Sequence, residues 1–227
     1  LWEIDQIILD CVKSFNFHLM FTTLLNFCSN DLSAFYFDIR KDIIYCDGKK
    51  SKERRSARTL LDIIFNYLVR WLAPSLSFTT EEAWKARDNL TSIHLEDFLN
   101  TPDDYKNSNI NDTWTILKQI RKVITGALEK KRAEKIIGSS LEAHIDIYLE
   151  KSILEKVKNY QMDEISITSS FSFHELKNNT GGFSLEDVKN VEIVVSKTSG
   201  KKCQRCWKYK DKLIRDEICD RCEDAIS

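Results

Sequence analysis

The sequence predicts a mainly α protein, in which a helical bundle is followed by a small α+β unit and a C-terminal four-cysteine module. Three observations predict this order. Apolar residues recur at helical spacing over residues 1–107, the pattern changes to strand-like alternation after Gly138, and two Cys-x-x-Cys pairs lie beyond residue 200. We therefore expect three domains, at residues 1–107, 108–200 and 201–227.

The composition narrows the class of protein. Hydrophobic residues make up 42% of the chain and charged residues 30%, which is typical of a folded globular protein. The chain has only 6 glycines and 2 prolines, which disfavours an all-β fold rich in turns. The net charge is -1, so any binding of nucleic acid must come from local basic clusters.

The sequence also indicates a compartment. No apolar run approaches the roughly 20 residues that span a bilayer, and the first residues lack the basic region of a secretory signal. Seven cysteines, an odd number without such a signal, are typical of a reducing compartment. We expect a cytoplasmic protein without membrane contact. Because the chain opens without Met inside an amphipathic pattern, we also expect a fragment of a longer chain.

The bundle is predicted from stripes of apolar residues at helical spacing. A central buried helix is expected over residues 56–73 and ends at Pro74, which cannot continue the hydrogen-bond ladder. Thr79 and Glu82 form a candidate capping box for a short helix that reaches Arg87. Two further stripes are expected to mark a first helix and one face of a long second helix: Ile4, Ile7, Ile8 and Cys11, then Phe21, Leu24, Leu25, Cys28, Leu32 and Phe35.

The middle of the chain changes its period. A polar, turn-rich segment at residues 102–111 predicts a domain boundary, and residues 116–128 then predict an amphipathic helix. Residues 141–149 alternate strictly between apolar and polar, as a half-buried strand does. We expect a short helix at residues 151–159 and strands at residues 164–169 and 191–196.

The cysteine pairs carry the clearest chemical signal. Cys203 and Cys206 are followed, after twelve residues, by Cys219 and Cys222. Two such turns can place four sulfurs around one tetrahedral metal ion, leaving no open coordination position. The pattern predicts a zinc finger with one structural zinc ion, because so short a segment cannot fold on apolar burial alone. Redox-active pairs or disulfides are the alternative, although the redox motif expects a βαβ context.

Two basic clusters are candidate RNA-binding surfaces. In the finger, Arg205, Trp207 and Lys208 combine cations for phosphate with a ring that can stack on an unpaired base. Alternatively, the cations only neutralise the thiolates and Trp207 is the core residue of the finger. The second cluster precedes and enters the central helix, and a solvated surface is its default interpretation. Its members are Lys49, Lys50, Lys52, Arg54, Arg55 and Arg58.

Catalytic motifs are absent from the sequence. No Gly-x-x-x-x-Gly-Lys loop occurs, and the four histidines lie far apart without a nucleophile pattern beside them. The sequence therefore offers no candidate catalytic residue.

Several motifs closely resemble the C-terminal part of the bacterial-type isoleucyl-tRNA synthetases, in the same order along the chain. The resemblance covers essentially all 227 residues. The Cys-x-x-Cys-Trp finger favours this family over the similar valyl and leucyl enzymes. The matching segments are Phe17–His18, Leu25–Cys28, Asp31–Asp42, Arg54–Thr59, Leu72–Pro74, Phe78–Trp84, Gly138–Ala143, Lys202–Trp207 and Cys219–Cys222.

The resemblance implies a function for the chain. The parent enzyme would attach isoleucine to tRNA(Ile) through an aminoacyl-adenylate, and this portion, acting as a monomer, would grip the anticodon stem-loop. ATP would bind only to the catalytic domain, which with the editing domain lies upstream and is missing here. The fragment should be inactive alone, and its cut first helix should leave Ile4 and Ile8 exposed. The resemblance implies, residue by residue, that the four cysteines are zinc ligands. It does not assign the RNA contacts, which are predicted only from the chemistry of the side chains.

Two other function classes remain open from the residues alone. The chain could be a free-standing zinc-stapled adaptor that binds protein or duplex DNA, and competition between tRNA and DNA would separate this from the tRNA role. It could also be a redox sensor, which predicts reversible thiol oxidation in place of tight metal binding.

Overall fold

A computed structural model describes residues 1–87, 90–178, 180–215 and 217–226, which form two compact units. The first unit contains Leu1–Asp38 and Lys49–Asn107, and the second contains Ile39–Gly48 and Ser108–Ser227. The mainly α fold with a small sheet and a four-cysteine cluster is confirmed. No helix of the described residues is both long and apolar enough to cross a membrane.

The first unit is helical. It contains α1 (Trp2–Lys13), α2 (Phe17–Asn26), a π-helix (Phe27–Phe37), α4 (Lys52–Leu72) and α5 (Ser77–Lys85), with short 3₁₀ turns at Ile93–Leu95 and Asp103–Tyr105. The helix α3 (Asp38–Cys46) follows the π-helix and belongs almost entirely to the second unit. The predicted central helix is confirmed as α4, which ends at Leu72, two residues before Pro74. The apolar core of this unit consists of Ile8, Cys11, Met20, Leu24, Phe27, Leu32, Ile64, Tyr67 and Trp71.

Three expectations for the first unit are wrong. Ile8 is fully buried in the core and not exposed, because α1 packs against the other helices, and Ile4 packs partly against the same core. The helix α5 begins at Ser77, so Thr79 lies inside the helix and does not cap it. The stripe through residues 21–35 is not one buried face, because Leu25 is 66% exposed.

The π-helix explains the failure of that stripe. Its hydrogen bonds join residues five apart, so its faces turn relative to those of an α-helix. The buried residues follow this change of period: Met20, Leu24 and Phe27 are separated by four and three residues, whereas Leu32 comes five residues later.

The second unit packs one long helix on a small sheet. The helix α6 (Ser108–Ala133) buries the predicted apolar face, and Gly126 is needed there because a Cβ would lie 2.7 Å from the ring of Phe183. The sheet order is β2-β1-β4-β3, with β1 parallel to β2 and antiparallel to β4. The elements are β1 (Ala143–Leu149), α7 (Lys151–Val157), α8 (Met162–Ser166), β2 (Ser170–Glu175), β3 (Phe183–Leu185) and β4 (Val188–Lys197).

The strand and helix predictions for this unit are mostly confirmed. Ala143, Ile145, Ile147 and Leu149 are fully buried on one face of β1, as the alternation predicts. The strand predicted at residues 164–169 is wrong: α8 and a tight turn occupy this segment, and β2 begins only at Ser170. A small hairpin of β5 (Lys201–Lys202) and β6 (Tyr209–Lys210) and the helix α9 (Asp220–Ile226) complete the chain.

Candidate metal centre and basic surfaces

Four cysteines converge at the end of the chain. Cys203 and Cys206 lie in the turn between β5 and β6, while Cys219 precedes α9 and Cys222 lies in its first turn. All four sulfurs lie within 4.8 Å of one another, and all four side chains are buried. Among the residues that the structure describes, this is the group of metal-ligand side chains that converges closely enough to hold an ion.

The spacing of the sulfurs fits a tetrahedral ion. The Sγ atoms of Cys206 and Cys219 are 3.8 Å apart. Sulfurs bound at about 2.3 Å from a tetrahedral centre lie about 3.8 Å from each other, whereas the two sulfurs of a disulfide are about 2.05 Å apart. All seven cysteines are free thiols. The arrangement can therefore hold a metal ion and does not form a disulfide.

The electrostatics of the cluster also call for a cation. Burial opposes ionisation of Cys203, but hydrogen bonds from backbone N–H groups outweigh it and lower the pKa of this thiol to about 6. Burial raises the pKa of both Cys206 and Cys222, and the Cys219 sulfur raises both further, although a hydrogen bond from Arg205 opposes this at Cys222. One thiolate thus forms readily while its neighbours resist a second negative charge, so four thiolates together need a bound cation.

A fifth cysteine packs against this cluster without joining it. Cys46, at the end of α3, lies in the same buried group, and its Sγ donates a hydrogen bond of 3.8 Å to the carbonyl oxygen of Arg205. Burial, with the nearby Asp42 carboxylate, raises the pKa of Cys46 to about 11. Cys46 is therefore a neutral packing residue, as expected for a cysteine outside the Cys-x-x-Cys pairs.

Three cations near the cysteines hold the finger to the rest of its unit. Arg205 donates to the carbonyl oxygens of Cys46 and, at 3.2 Å, Tyr45, which are free acceptors at the C-terminal end of α3. The Nζ of Lys208 lies 2.9 Å from Asp163 Oδ2, and Lys208 is only 7% exposed. These two predicted RNA-contact residues are thus placed in internal contacts.

Arg221 is the third of these cations, and the sequence did not single it out. It donates two hydrogen bonds of 2.7 Å to the carboxylate of Asp42 and lies 3.4 Å from Asp47. This bidentate pair raises the pKa of Arg221, and the guanidinium lowers the pKa of Asp42 although burial alone would raise it. Asp42 and Arg221 are far apart in the chain, so no local pattern could have revealed the contact.

Trp207 faces solvent. It is 59% exposed, so the interpretation that it forms the core of the finger is wrong. Its backbone is left-handed, with φ of 65°, which is rare for a bulky residue. The Nζ of Lys202 lies 5.6 Å from the ring centroid, a cation–π contact. Lys201, Lys202 and Lys210 are exposed on the same hairpin.

The second basic cluster lies at the start of α4. Ser51 caps this helix by accepting a hydrogen bond of 3.2 Å from the backbone N–H of Arg54. Arg55 and Arg58 are exposed, whereas Arg54 is half-buried. The structure therefore brings Arg55 and Arg58 onto an accessible surface of the first unit.

Comparison with known proteins points to one family. Residues 3–147 match the family model described as the anticodon-binding domain of tRNA ligase. The chain is 43% identical over 209 residues to an isoleucine–tRNA ligase of Bartonella henselae, which covers 91% of this chain and 22% of the relative. Isoleucine–tRNA ligases of Bartonella quintana and Pelagibacter ubique are 42% and 43% identical, each with 22% of its length covered. The chain thus spans about a fifth of the length of these curated relatives, and the resemblance to isoleucyl-tRNA synthetases is confirmed.

Proposed function

Because the chain belongs to the family of anticodon-binding domains of tRNA ligases, we propose that it recognises the anticodon stem-loop of tRNA(Ile). In this proposal it works within an isoleucine–tRNA ligase that attaches isoleucine to tRNA with the use of ATP. The catalytic and editing steps belong to other parts of that enzyme. The 227 residues alone then bind tRNA but do not aminoacylate it. Action as a monomer in the cytoplasm is part of the same proposal.

The metal in this proposal is one structural zinc ion held by Cys203, Cys206, Cys219 and Cys222. Four thiolates suit zinc, and a closed tetrahedral shell leaves no position for a substrate or water. The role of these residues is to fix the hairpin of β5 and β6, and with it the position of Trp207. The reducing environment of the cytoplasm keeps such thiols available to a metal.

The observation that carries the RNA-binding proposal is the exposed ring of Trp207. A tryptophan held by a strained left-handed backbone on a metal-stapled hairpin costs stability, and such strain is typical of functional positions. The exposed lysines of the hairpin supply positive charge for the RNA backbone, while the indole offers a stacking surface for an unpaired base. Bases of a single-stranded loop are the targets that aromatic side chains read in RNA.

The predicted cationic contacts divide into two roles under this proposal. Arg55 and Arg58, with Arg54 beside them, contact phosphates and position the RNA. Arg205 and Lys208 instead anchor the finger, because their charged groups are already bound to α3 carbonyls and to Asp163. A variant of Lys208 should therefore reduce the stability of the finger before it reduces any direct RNA contact.

Equilibrium binding of tRNA(Ile) to the full chain tests the proposal. Trp207→Ala should weaken binding by about 1–3 kcal/mol if the ring stacks on a base, and Trp207→Phe should retain most of the affinity. Metal content and the thermal unfolding of both variants are the controls. Equal binding of tRNA(Ile), non-cognate tRNA and duplex DNA, with no effect of Trp207→Ala, would instead favour a general nucleic-acid adaptor and overturn the anticodon assignment.

A further inference from the structure

We propose that Arg55, Arg58 and Arg87 form a groove in the first unit that binds backbone phosphates of RNA. Asp62 forms an ion pair with Arg87 until a phosphate displaces the Asp62 carboxylate. The inference rests on the proposed function, which already gives phosphate contacts to Arg55 and Arg58, and adds Arg87 and its partner Asp62 to the site.

The groove is built from one face of α4 and the end of α5. Arg58, Thr59 and Asp62 follow Arg55 by three, four and seven residues, so all four lie on the same side of α4. Arg87 follows α5 by two residues and closes the other wall. The open groove between them has a volume of about 700 Å³, and Leu61 contributes the remaining lining.

Arg87 is held in place without being buried. One of its terminal nitrogens pairs with Asp62, and its guanidinium lies 4.9 Å from the ring centroid of Phe65. The side chains of Arg87 and Asp62 are 48% and 49% exposed. An ion pair that exposed is weak, so a phosphate group can replace the carboxylate of Asp62 at little cost. The ring contact keeps the planar guanidinium oriented when that exchange occurs.

The charge of the groove favours a polyanion whose charges follow one another along a chain. Three arginines face one carboxylate among the lining residues that the structure describes. A second groove shares Arg55 and Thr59 with the first and adds Lys50 and Lys52. The cations thus continue along the surface at the start of α4 and do not converge on a single point. A polyanionic backbone fits such a track better than one isolated phosphate does.

Arginine is also the side chain best suited to this ligand. A guanidinium presents its N–H donors in a planar fork that matches two oxygens of a phosphodiester. A carboxylate such as Asp62 presents the same two-oxygen geometry and therefore imitates the ligand. In the absence of RNA, Asp62 balances the charge of Arg87. When RNA binds, a phosphate displaces this weakly held carboxylate, which lowers the affinity slightly.

The test measures binding of tRNA(Ile) to the full chain at several salt concentrations. Arg87→Gln should weaken binding about tenfold, since one charge-assisted hydrogen bond is lost. It should also reduce the slope of log affinity against log salt by about 0.7 to 0.9 for each phosphate contact removed. Lys85→Gln is the matched control, because Lys85 is an exposed cation on α5 that pairs with Glu81 and does not line the groove.

Asp62→Asn gives the decisive second measurement. If Asp62 competes with phosphate, removal of its charge should tighten tRNA binding several-fold, whereas a merely structural ion pair predicts no gain. This variant keeps the inference testable even if Arg87→Gln fails to fold. Unchanged or weaker binding of Asp62→Asn, or equal effects of Arg87→Gln and Lys85→Gln, would overturn the groove assignment while tRNA binding itself persists.

Two further outcomes separate this inference from its premise. If the unmodified chain does not bind tRNA(Ile) at all, the proposed function fails, and the groove fails with it. If inorganic phosphate alone saturates the groove of the unmodified chain but Arg87→Gln leaves tRNA affinity unchanged, the site serves free anions and the RNA assignment is overturned. Saturable tRNA binding that Arg87→Gln weakens and Asp62→Asn strengthens supports it.

Discussion

The first unit and the finger each bury a cluster of polar groups, and the two clusters differ in what completes them. In the helical unit, Asp5 is only 1% exposed, yet its carboxylate accepts hydrogen bonds from Trp71 at 3.1 Å and from Thr101 at 2.6 Å. Tyr67 extends the network through a bond of 2.9 Å to Thr101. Every partner comes from the chain, so this cluster is complete once the helices pack.

The four cysteines of the finger have partners within the chain that satisfy them only in part. Backbone N–H groups hydrogen-bond Cys203 and the Arg205 guanidinium hydrogen-bonds Cys222, whereas Lys208 is bound to Asp163 and Arg221 to Asp42. These contacts do not balance four thiolates, which repel one another. The helical unit is thus stabilised by its own side chains, whereas under the proposed function the finger is stabilised by a bound metal ion. Stability should therefore respond differently in the two regions when one component is removed.

Removal of the metal should have the largest effect of all. Structural zinc sites contribute about 10–16 kcal/mol of apparent binding free energy, which in small modules is also folding free energy. A strong chelator should therefore abolish amide protection over residues 201–215 and 217–226 and weaken it in α3, which packs on the finger through Cys46. Amide protection around Trp71 should stay unchanged, because that core contains no metal ligand. Hydrogen exchange followed by mass spectrometry measures both regions in one sample.

Two serine variants control that experiment. Cys203→Ser removes a sulfur of the metal cluster and should lower the metal content of the purified chain. Cys46→Ser removes the sulfur that packs beside the cluster and should leave the metal content at one ion per chain. Equal metal loss in both variants would contradict the separation of Cys46 from the four ligands.

Removal of Asp5 should have the next largest effect, confined to the helical unit. Asp5→Ala leaves the indole N–H of Trp71 and the hydroxyl of Thr101 buried without their acceptor. Each such group costs about 1–3 kcal/mol, so a loss of roughly 3 kcal/mol in the free energy of unfolding is expected. Asp5→Asn keeps the shape and one acceptor oxygen and should cost less. Urea unfolding of the variants measures the difference, and an unchanged midpoint for Asp5→Ala would mean that water replaces the carboxylate.

Loss of the Arg221–Asp42 pair should have a smaller effect, because both groups are partly exposed. The side chain of Arg221 is 38% exposed and that of Asp42 is 25% exposed, so solvent screens the pair. Arg221→Ala should cost about 1 kcal/mol, and Arg221→Lys should recover only part of it, since an ammonium cannot form the bidentate contact. The rate at which a chelator extracts the metal measures the effect. A chelation rate that Arg221→Ala leaves unchanged would show that the pair does not anchor the finger.

The sequence predicted those features whose signal is local. Three such features each depend on residues near one another in the chain: the alternation in residues 143–149, the apolar face of α6 and the spacing of the four cysteines. The structure contains all three. The π-helix was missed because a stripe at α-helical spacing assumes hydrogen bonds four residues apart, whereas Phe27 and Leu32 keep one face through a spacing of five.

The contacts that give the basic residues their roles could not be predicted. Arg205 and Cys46 are separated by 159 positions, and Lys208 and Asp163 by 45. From composition alone, the cations of the finger could either neutralise the cysteine thiolates or bind RNA. Only the fold places Lys208 in a buried ion pair and Trp207 at the surface. The pairing of Arg87 with Asp62 had no local signal either, because Asp62 lies in α4 whereas Arg87 follows the end of α5.

The smallest expected effect is a pH-dependent change in the stability of the helical unit. Hydrogen bonds from Lys85, Ser92 and the backbone N–H of Ile93 lower the pKa of Glu81 to about 2, below the roughly 4.3 of an unfolded chain. A group whose pKa falls on folding stabilises the protein above its unfolded pKa, and this contribution is lost as the pH falls from about 4.3 towards 2. The cost of Glu81→Gln, measured by urea unfolding against the unmodified chain, should therefore be larger at pH 7 than at pH 3. Since this comparison is made at each pH, the acid-induced loss of metal from the finger cancels. A cost that is equal at both pH values would show that the contacts of Glu81 do not depend on its charge.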